Sequence, residues 1–380
     1  MASNRKEKFS LKDELYNPKK VEMIASEIKE VYPSFDASQF TKDTLEKFPT
    51  LELKERIYHI RDMLYKYLPS DFQEAVNILL LALPLELDTN KSDDDFGDFI
   101  YAPYSEYVTA YGCNEKYLDF SLQALREITK RFSVEFAIRD FINNYPTQTL
   151  AMLEECAKSE NYHERRLASE GLRMKLPWAK KLTIDYRAPL KHLELLYTDA
   201  TRYVTRSVAN HLNDIAKIDA TLVIETLKRW KKSKKQEPKE MDFIIRHALR
   251  TLLKQGNSDA LAMLGYVHNP PIEVKKITLK SASVEVGEAL EFEVEVTALD
   301  DAMLMVDYIV HFQTKAGELS PKVHKLKKFE LVKGETIVLK KKHPFRANMT
   351  TRTLYAGEHL LEVQVNGSIV HSESFVLIMA

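Results

Sequence analysis

Apolar positions follow two rhythms along the chain. Up to about residue 266 they recur every three or four residues, the period of a helix with one buried stripe. Val21, Ile24, Ile28 and Val31 form one such stripe, and Val134, Ile138 and Phe141 form another within 133–142. Residues 70–88 predict a strongly apolar helix that begins near Phe72. After Asn269-Pro-Pro-Ile the period changes to two: Leu290, Phe292, Val294 and Val296 alternate with Glu291, Glu293 and Glu295. Residues 303–312, 335–340, 359–365 and 369–378 also read as strands, and Asn366-Gly367 is a two-residue hairpin signal. The pattern predicts a mainly α protein in two parts, a helical domain over 1–268 and a small all-β domain over 272–380. Seven or so short strands over that length predict an immunoglobulin-like sandwich.

The helical part repeats. Arg166, Arg206 and Arg246 are spaced 40 residues apart, as are Leu172, Leu212 and Leu252. A period near 40 with two apolar helices per unit predicts a HEAT-like α-solenoid. Residues 161–178 predict one polar-faced helix that stops at Pro177, because proline lacks a backbone N–H and constrains the residue before it. Arg166, Glu170 and Arg173 share a face of that helix. The corresponding faces read Arg206-Asn210-Asp214 and Arg246-Arg250-Lys254. A single Arg–Glu pair at this spacing is an ordinary solvated ion pair. Its recurrence predicts an arginine-rich surface with two carboxylates set into it.

Charge sharpens the picture. The whole chain of 380 residues has a net charge of −1, but residues 161–254 hold 21 Lys and Arg against 11 Asp and Glu. A basic middle inside an otherwise acidic chain predicts a local polyanion site. Residues 89–98, rich in aspartate, predict a surface loop, and 228–239, rich in lysine, a solvated or phosphate-gripping segment. Tyr101, Tyr104, Tyr107 and Tyr111 lie near one helical face and predict packing. The two cysteines, Cys113 and Cys156, supply neither a disulfide framework nor a zinc site. His163, His211 and His247 lack metal-site spacing. With no bilayer-length apolar run and no secretory signal, a cytoplasmic protein is expected.

Five strings carry a family resemblance: Ser-Val-Glu-Phe-Ala-Ile-Arg-Asp-Phe-Ile (133–142), His-Glu-Arg-Arg-Leu-Ala-Ser-Glu-Gly-Leu-Arg (163–173), Leu-Pro-Trp (176–178), Ser-Val-Ala-Asn-His-Leu-Asn-Asp (207–214) and Ile-Arg-His-Ala-Leu-Arg-Thr-Leu (245–252). In this order they resemble the DNA alkylation repair family, in its AlkC branch, over roughly residues 10–266. A C-terminal immunoglobulin-like domain occurs in a subset of that branch. The resemblance implies a DNA glycosylase that removes cationic methylated bases, 3-methyladenine and 3-methylcytosine, without metal or organic cofactor. The implied partner is duplex DNA containing alkylated bases, bound by a monomer away from any membrane.

The chemistry asks for few parts. A base methylated at a ring nitrogen is positively charged and leaves as a neutral molecule, so a general acid matters less than usual. The sugar becomes oxocarbenium-like, and a nearby carboxylate stabilises it or orients the attacking water. Glu170, on the repeating arginine face, is the first candidate carboxylate. Glu135 is the second, and Asp214 is the third, with a structural role beside Arg206 as its alternative. Arg139, Arg166, Arg206, Arg246 and Arg250 are candidate phosphate contacts. Arg173 is a contact or an ion-pair partner of Glu170, and Trp178 a candidate stacking residue beside the lesion. Lys325, Lys327, Lys328 and Lys340–Lys342 are expected to help hold the duplex. The rival reading is a non-catalytic α-solenoid that binds DNA or a protein through the same face.

Overall fold

The computed structural model describes residues 10–93, 95–347, 349 and 352–379. The chain groups into two compact units, one of Met1–Ile218 with Trp230–Ala248 and one of Asp219–Arg229 with Leu249–Ala380.

In the first unit the helices run α1 (Leu11–Leu15), α2 (Pro18–Val31), α3 (Ala37–Lys47), α4 (Leu53–Tyr67) and α5 (Phe72–Leu81). They continue as α6 (Ala102–Gly112), α7 (Leu118–Thr129), α8 (Ile138–Asn144), α9 (Pro146–Cys156), α10 (Tyr162–Glu170), α11 (Leu190–Leu196) and α12 (Arg202–Ala216). Helix α13 (Ala220–Ser233) straddles both units, and α14 (Pro238–Ala248) returns to the first. Side chains of Asn17, Asp36, Asp71 and Asn161 accept backbone N–H groups at the starts of α2, α3, α5 and α10. They satisfy donors that the helix itself leaves unpaired. Val21, Ile24 and Ile28 are buried as their spacing predicts, and so are Tyr101, Tyr104 and Tyr107. The 40-residue period is realised as α10, α12 and α14, with α10 packed on α12 and α12 on α14.

Three helix expectations need correction. The apolar helix of 70–88 stops at Leu81, three residues short of Pro84. The helix of 161–178 stops at Glu170; Gly171 follows it, and 171–178 is a series of turns. Residues 246–254 are not one helix: α14 ends at Ala248, and α15 (Arg250–Lys254) begins after Leu249. The basic run after Lys228 is partly helical, because Trp230 is buried, stacks on Tyr197 at 4.2 Å and donates to Glu194.

In the second unit α15 and α16 (Ser258–Met263) precede the strands. These are β1 (Ile272–Val274), β2 (Thr278–Leu279), β3 (Ser283–Glu285), β4 (Ala289–Ala298), β5 (Ala302–Gln313), β6 (Leu319–Leu331), β7 (Thr336–Pro344), β8 (Gly357–Val365) and β9 (Ser368–Ile378). One sheet is ordered β1-β4-β2 with β7 paired to β4; the other is β3-β9-β8-β5-β6. Leu290, Phe292, Val294 and Val296 of β4 are buried together with Leu304, Val306 and Val310 of β5 and Leu361 and Val363 of β8. The alternating glutamates of β4 meet lysines: Glu291 pairs with Lys280 and Lys342, Glu293 with Lys340, and Glu295 with Lys275. Lys340 and Lys342 thus pair with glutamates at the sheet surface while remaining exposed. Strand β6, with its closely spaced lysines, has no clean alternation and escaped the sequence reading. The Asn366-Gly367 turn is present with both residues at positive φ, 44° and 84°, the geometry a tight hairpin needs. Gly367 also touches Gly256 so closely that a Cβ on Gly256 would lie 2.5 Å from the Gly367 carbonyl oxygen.

Candidate active site

The polar face expected on α10 is not a solvated surface. Arg166, Glu170 and Arg173 are 5%, 5% and 9% exposed. They lie in a chain of alternating charges that crosses successive repeats. Arg166 Nη1 donates to Glu135 Oε2 at 3.0 Å and to Ser133 Oγ at 2.6 Å. Arg166 Nη2 lies 3.9 Å from Glu170 Oε1, which accepts from Arg173 Nη1 at 2.6 Å. Arg173 Nε donates to Asp214 Oδ2 at 2.9 Å, and Lys217 closes the chain on Asp214 Oδ1 at 3.3 Å. The other oxygen of Glu170 accepts from the Ser207 hydroxyl at 2.6 Å. Phe96 and Tyr203 lay their rings over the Arg166 guanidinium, at 5.2 and 4.5 Å.

Burial alone would discharge such groups, so the pairing decides their state. Burial opposes ionisation of Glu170, yet Arg166, Arg173 and Ser207 outweigh it and hold its pKa below the ordinary 4.5. Burial likewise opposes the charge of Arg173, but Glu170 and Asp214 raise its pKa. His211, beside Ser169 and fully buried, is pushed down to about 3 and stays neutral. No group of three or more His, Cys, Asp and Glu suited to a metal ion occurs among the described residues.

The carboxylates differ in what they face. Glu170 and Asp214 have both oxygens engaged and are closed in. Glu135 uses one oxygen on Arg166 and lines a cavity of about 500 Å³. Phe96, Phe99, Phe132, Phe136 and Trp178 also line it. Glu106 and Asp140 contribute further carboxylates, and Lys54, Arg61 and Lys180 contribute cations. Asp140 holds Lys180 through both oxygens, at 2.7 and 2.9 Å, whereas burial raises the pKa of Glu106. Trp178 stands at the rim, 72% exposed, with φ 64°. That conformation is costly for a bulky residue. Lys54 donates to the Trp178 carbonyl and lies 6.0 Å from the Phe136 ring.

The candidate arginines separate into two groups. Arg139 does not fit the phosphate-contact expectation. It is 1% exposed, and its guanidinium donates to the carbonyls of Lys180, Gly171 and Arg173. It thus supplies donors to carbonyls of the irregular stretch that follows α10. Arg166 and Arg173 are likewise occupied by carboxylates, so they organise charge instead of presenting it. Arg206 is half-buried and paired with Asp93. The alternative that made Asp214 the partner of Arg206 is corrected: Asp214 pairs with Arg173 and Lys217. Arg246 is exposed on α14, and Arg250 is half-buried at the start of α15. The sequence reading missed Ser133, Phe136, Tyr203 and Ser207, although each lies in or beside one of the quoted motifs. It also missed Phe96, for which a large apolar residue in an aspartate-rich loop was the signal.

Stacked helical repeats that bury a carboxylate–arginine chain, followed by an immunoglobulin-like sandwich, define a HEAT-like protein with a candidate hydrolytic or nucleic-acid site. Family comparison narrows this. A model of the DNA alkylation repair enzyme family matches residues 106–252, and a model of the C-terminal Ig-like domain of the uncharacterised protein YhaZ matches 273–379. YhaZ of Bacillus subtilis (strain 168), an uncharacterized protein, is 33% identical over 367 residues, covering 95% of this chain and 98% of that one. The alkylpurine DNA glycosylase AlkC of Pseudomonas fluorescens, bound to DNA containing an abasic site analog, is 32% identical with a TM-score of 0.86. That match covers 97% of this chain and 100% of AlkC. The chain belongs to the DNA alkylation repair family, in the AlkC branch with a C-terminal immunoglobulin-like domain.

Proposed function

We propose that this protein is a DNA glycosylase that hydrolyses the N-glycosidic bond of cationic N-alkylated bases, 3-methyladenine and 3-methylcytosine, in duplex DNA. The observation that carries this reading is the chain Glu135–Arg166–Glu170–Arg173–Asp214, closed at one end and opening at Glu135 on an aromatic-lined cavity. Kinship with a DNA-bound alkylpurine glycosylase supports it.

In this reading Glu135 is the carboxylate nearest the sugar. Arg166 fixes one of its oxygens, and the other accepts from the attacking water or faces the developing positive charge. Glu170 and Asp214 act one and two pairs further in, holding Arg166 and Arg173 in place. Trp178 stacks beside the lesion, where its π face meets a cationic base. Arg206, Arg246 and Arg250 take phosphates. The catalytic domain spans 1–268, and the sandwich over 272–380 contributes Lys325, Lys327 and Lys328 to DNA binding. The enclosure of Glu170 and Asp214 also suits the rival reading, a DNA-binding scaffold without chemistry.

Chromatography of bases released from methylated duplex DNA separates the two. Release of 3-methyladenine or 3-methylcytosine by wild type, lost in Glu135→Gln with DNA binding retained, supports the enzyme and its carboxylate. Binding without release across several cationic lesions would leave the scaffold. Release that survives Glu135→Gln but falls in Glu170→Gln would return the chemistry to Glu170.

A further inference from the structure

The aspartate-rich loop expected at 89–98 is held down across the arginines. At one end the Leu87 amide donates to Lys130 O at 3.0 Å; at the other, the Ser133 amide donates to Phe96 O at 3.2 Å. Gly97 forms an isolated bridge with Phe132 and has φ 77°. A Cβ there would lie 1.8 Å from the Arg131 carbonyl oxygen, so glycine alone allows the chain to turn at this point. Between these two anchors the loop meets α10 and α12. Ser92 O accepts from the Tyr203 amide, in the first turn of α12, at 2.9 Å. The Asp93 carboxylate pairs with Arg206, a candidate phosphate contact. Asp95 pairs with Lys91 at 3.0 Å. Phe96 covers Arg166 and packs edge-on against Tyr203, with centroids 5.5 Å apart.

We propose that residues 88–93 and 95 form an acidic strap that occupies Arg206 in the free protein and is displaced by the DNA backbone. The inference rests on the reading of Arg206 as a phosphate contact. A carboxylate on an arginine and a carbonyl on a first-turn amide are the acceptors that a phosphodiester would supply in their place. Strap and phosphate therefore compete for Arg206. The competition lowers affinity for any duplex, and it costs least where additional contacts at a lesion offset it. The strap is suited to exchange: Arg206 and Asp93 are each about one-third exposed, at 30% and 32%, so their pair is worth little in water.

Affinity for an undamaged duplex, read by fluorescence anisotropy, tests the strap without relying on base release. Asp93→Asn is expected to tighten binding about two- to fivefold, and Arg206→Gln to weaken it by a similar factor. In the Arg206→Gln background, Asp93→Asn should add nothing, because the residue it unblocks is gone. A gain of equal size in both backgrounds would show long-range charge alone and overturn the proposal, as would no gain in wild type. Hydrogen exchange gives an independent reading: amides of 88–93 and 95 should exchange faster when DNA is bound, and unchanged or slower exchange would overturn displacement. A wild type that binds no duplex would defeat the DNA-binding reading itself, a result distinct from all of these.

Discussion

Glu135 and Glu170 share Arg166 yet have different roles in the proposed reaction. Glu170 spends both oxygens on partners inside the protein, and Glu135 keeps one for the cavity. Glu135→Gln is therefore expected to lower base release by about a hundredfold, measured in single turnover, with a small loss of stability. Glu170→Gln should lower stability by about 3 kcal/mol in urea denaturation, because it leaves Arg166 and Arg173 buried beside a weaker partner. Glu170 also fixes a pH dependence. Its folded pKa is lower than the ordinary 4.5, so below that pH the unfolded chain takes up a proton that the folded chain resists. Its contribution to stability is whole above pH 4.5 and is lost as pH falls through the folded value. His211 adds a second loss over a wider window, since its pKa falls from 6.5 unfolded to about 3 folded. Stability measured against pH should thus begin to fall near 6.5, and His211→Gln should flatten the slope between 6.5 and 3.

Among elements, the end of α10 decides the geometry of the site. The helix stops at Glu170, and the chain then turns so that Arg173 faces both Glu170 and Asp214. Gly171 permits this by contact, not by backbone freedom: its φ of −61° is ordinary, but a Cβ would lie 2.8 Å from Ile138 Cγ2. Gly171→Ala should cost about 1–3 kcal/mol of stability and reduce base release, through displacement of α8 against α10. Arg139 secures the same turn by binding the Gly171 and Arg173 carbonyls. Arg139→Ala is expected to destabilise the fold by about 2–3 kcal/mol in urea denaturation, an effect a surface phosphate contact would not produce. The sequence motif around Glu135 and Arg139 was legible as a unit. The opposite fates of its two charged ends were not, because one points into the cavity and the other into the turn after α10.

For the whole molecule, the expected polyanion site predicts a salt dependence. Arg246 is exposed, so Arg246→Ala should leave stability within about 0.5 kcal/mol of wild type. If Arg246 neutralises one phosphate, the slope of log affinity against log salt should fall by about 0.9, as binding titrations at several salt concentrations would read. An unchanged slope would remove Arg246 from the interface. The sequence by itself determined the order of helices followed by strands, because hydrophobic period is a local property: 3.6 up to the Asn269-Pro-Pro-Ile break and 2 beyond it. It also determined the 40-residue spacing that places Arg166 and Arg206 on neighbouring packed helices. Tertiary structure decided what those residues do. A charge pattern on one helix reads the same whether the next repeat leaves it in water or covers it. Only packing shows that α12 covers α10, that Arg173 reaches Asp214 41 positions away, and that the acidic loop lies on Arg206. Those contacts join residues distant in sequence, and no local period encodes them.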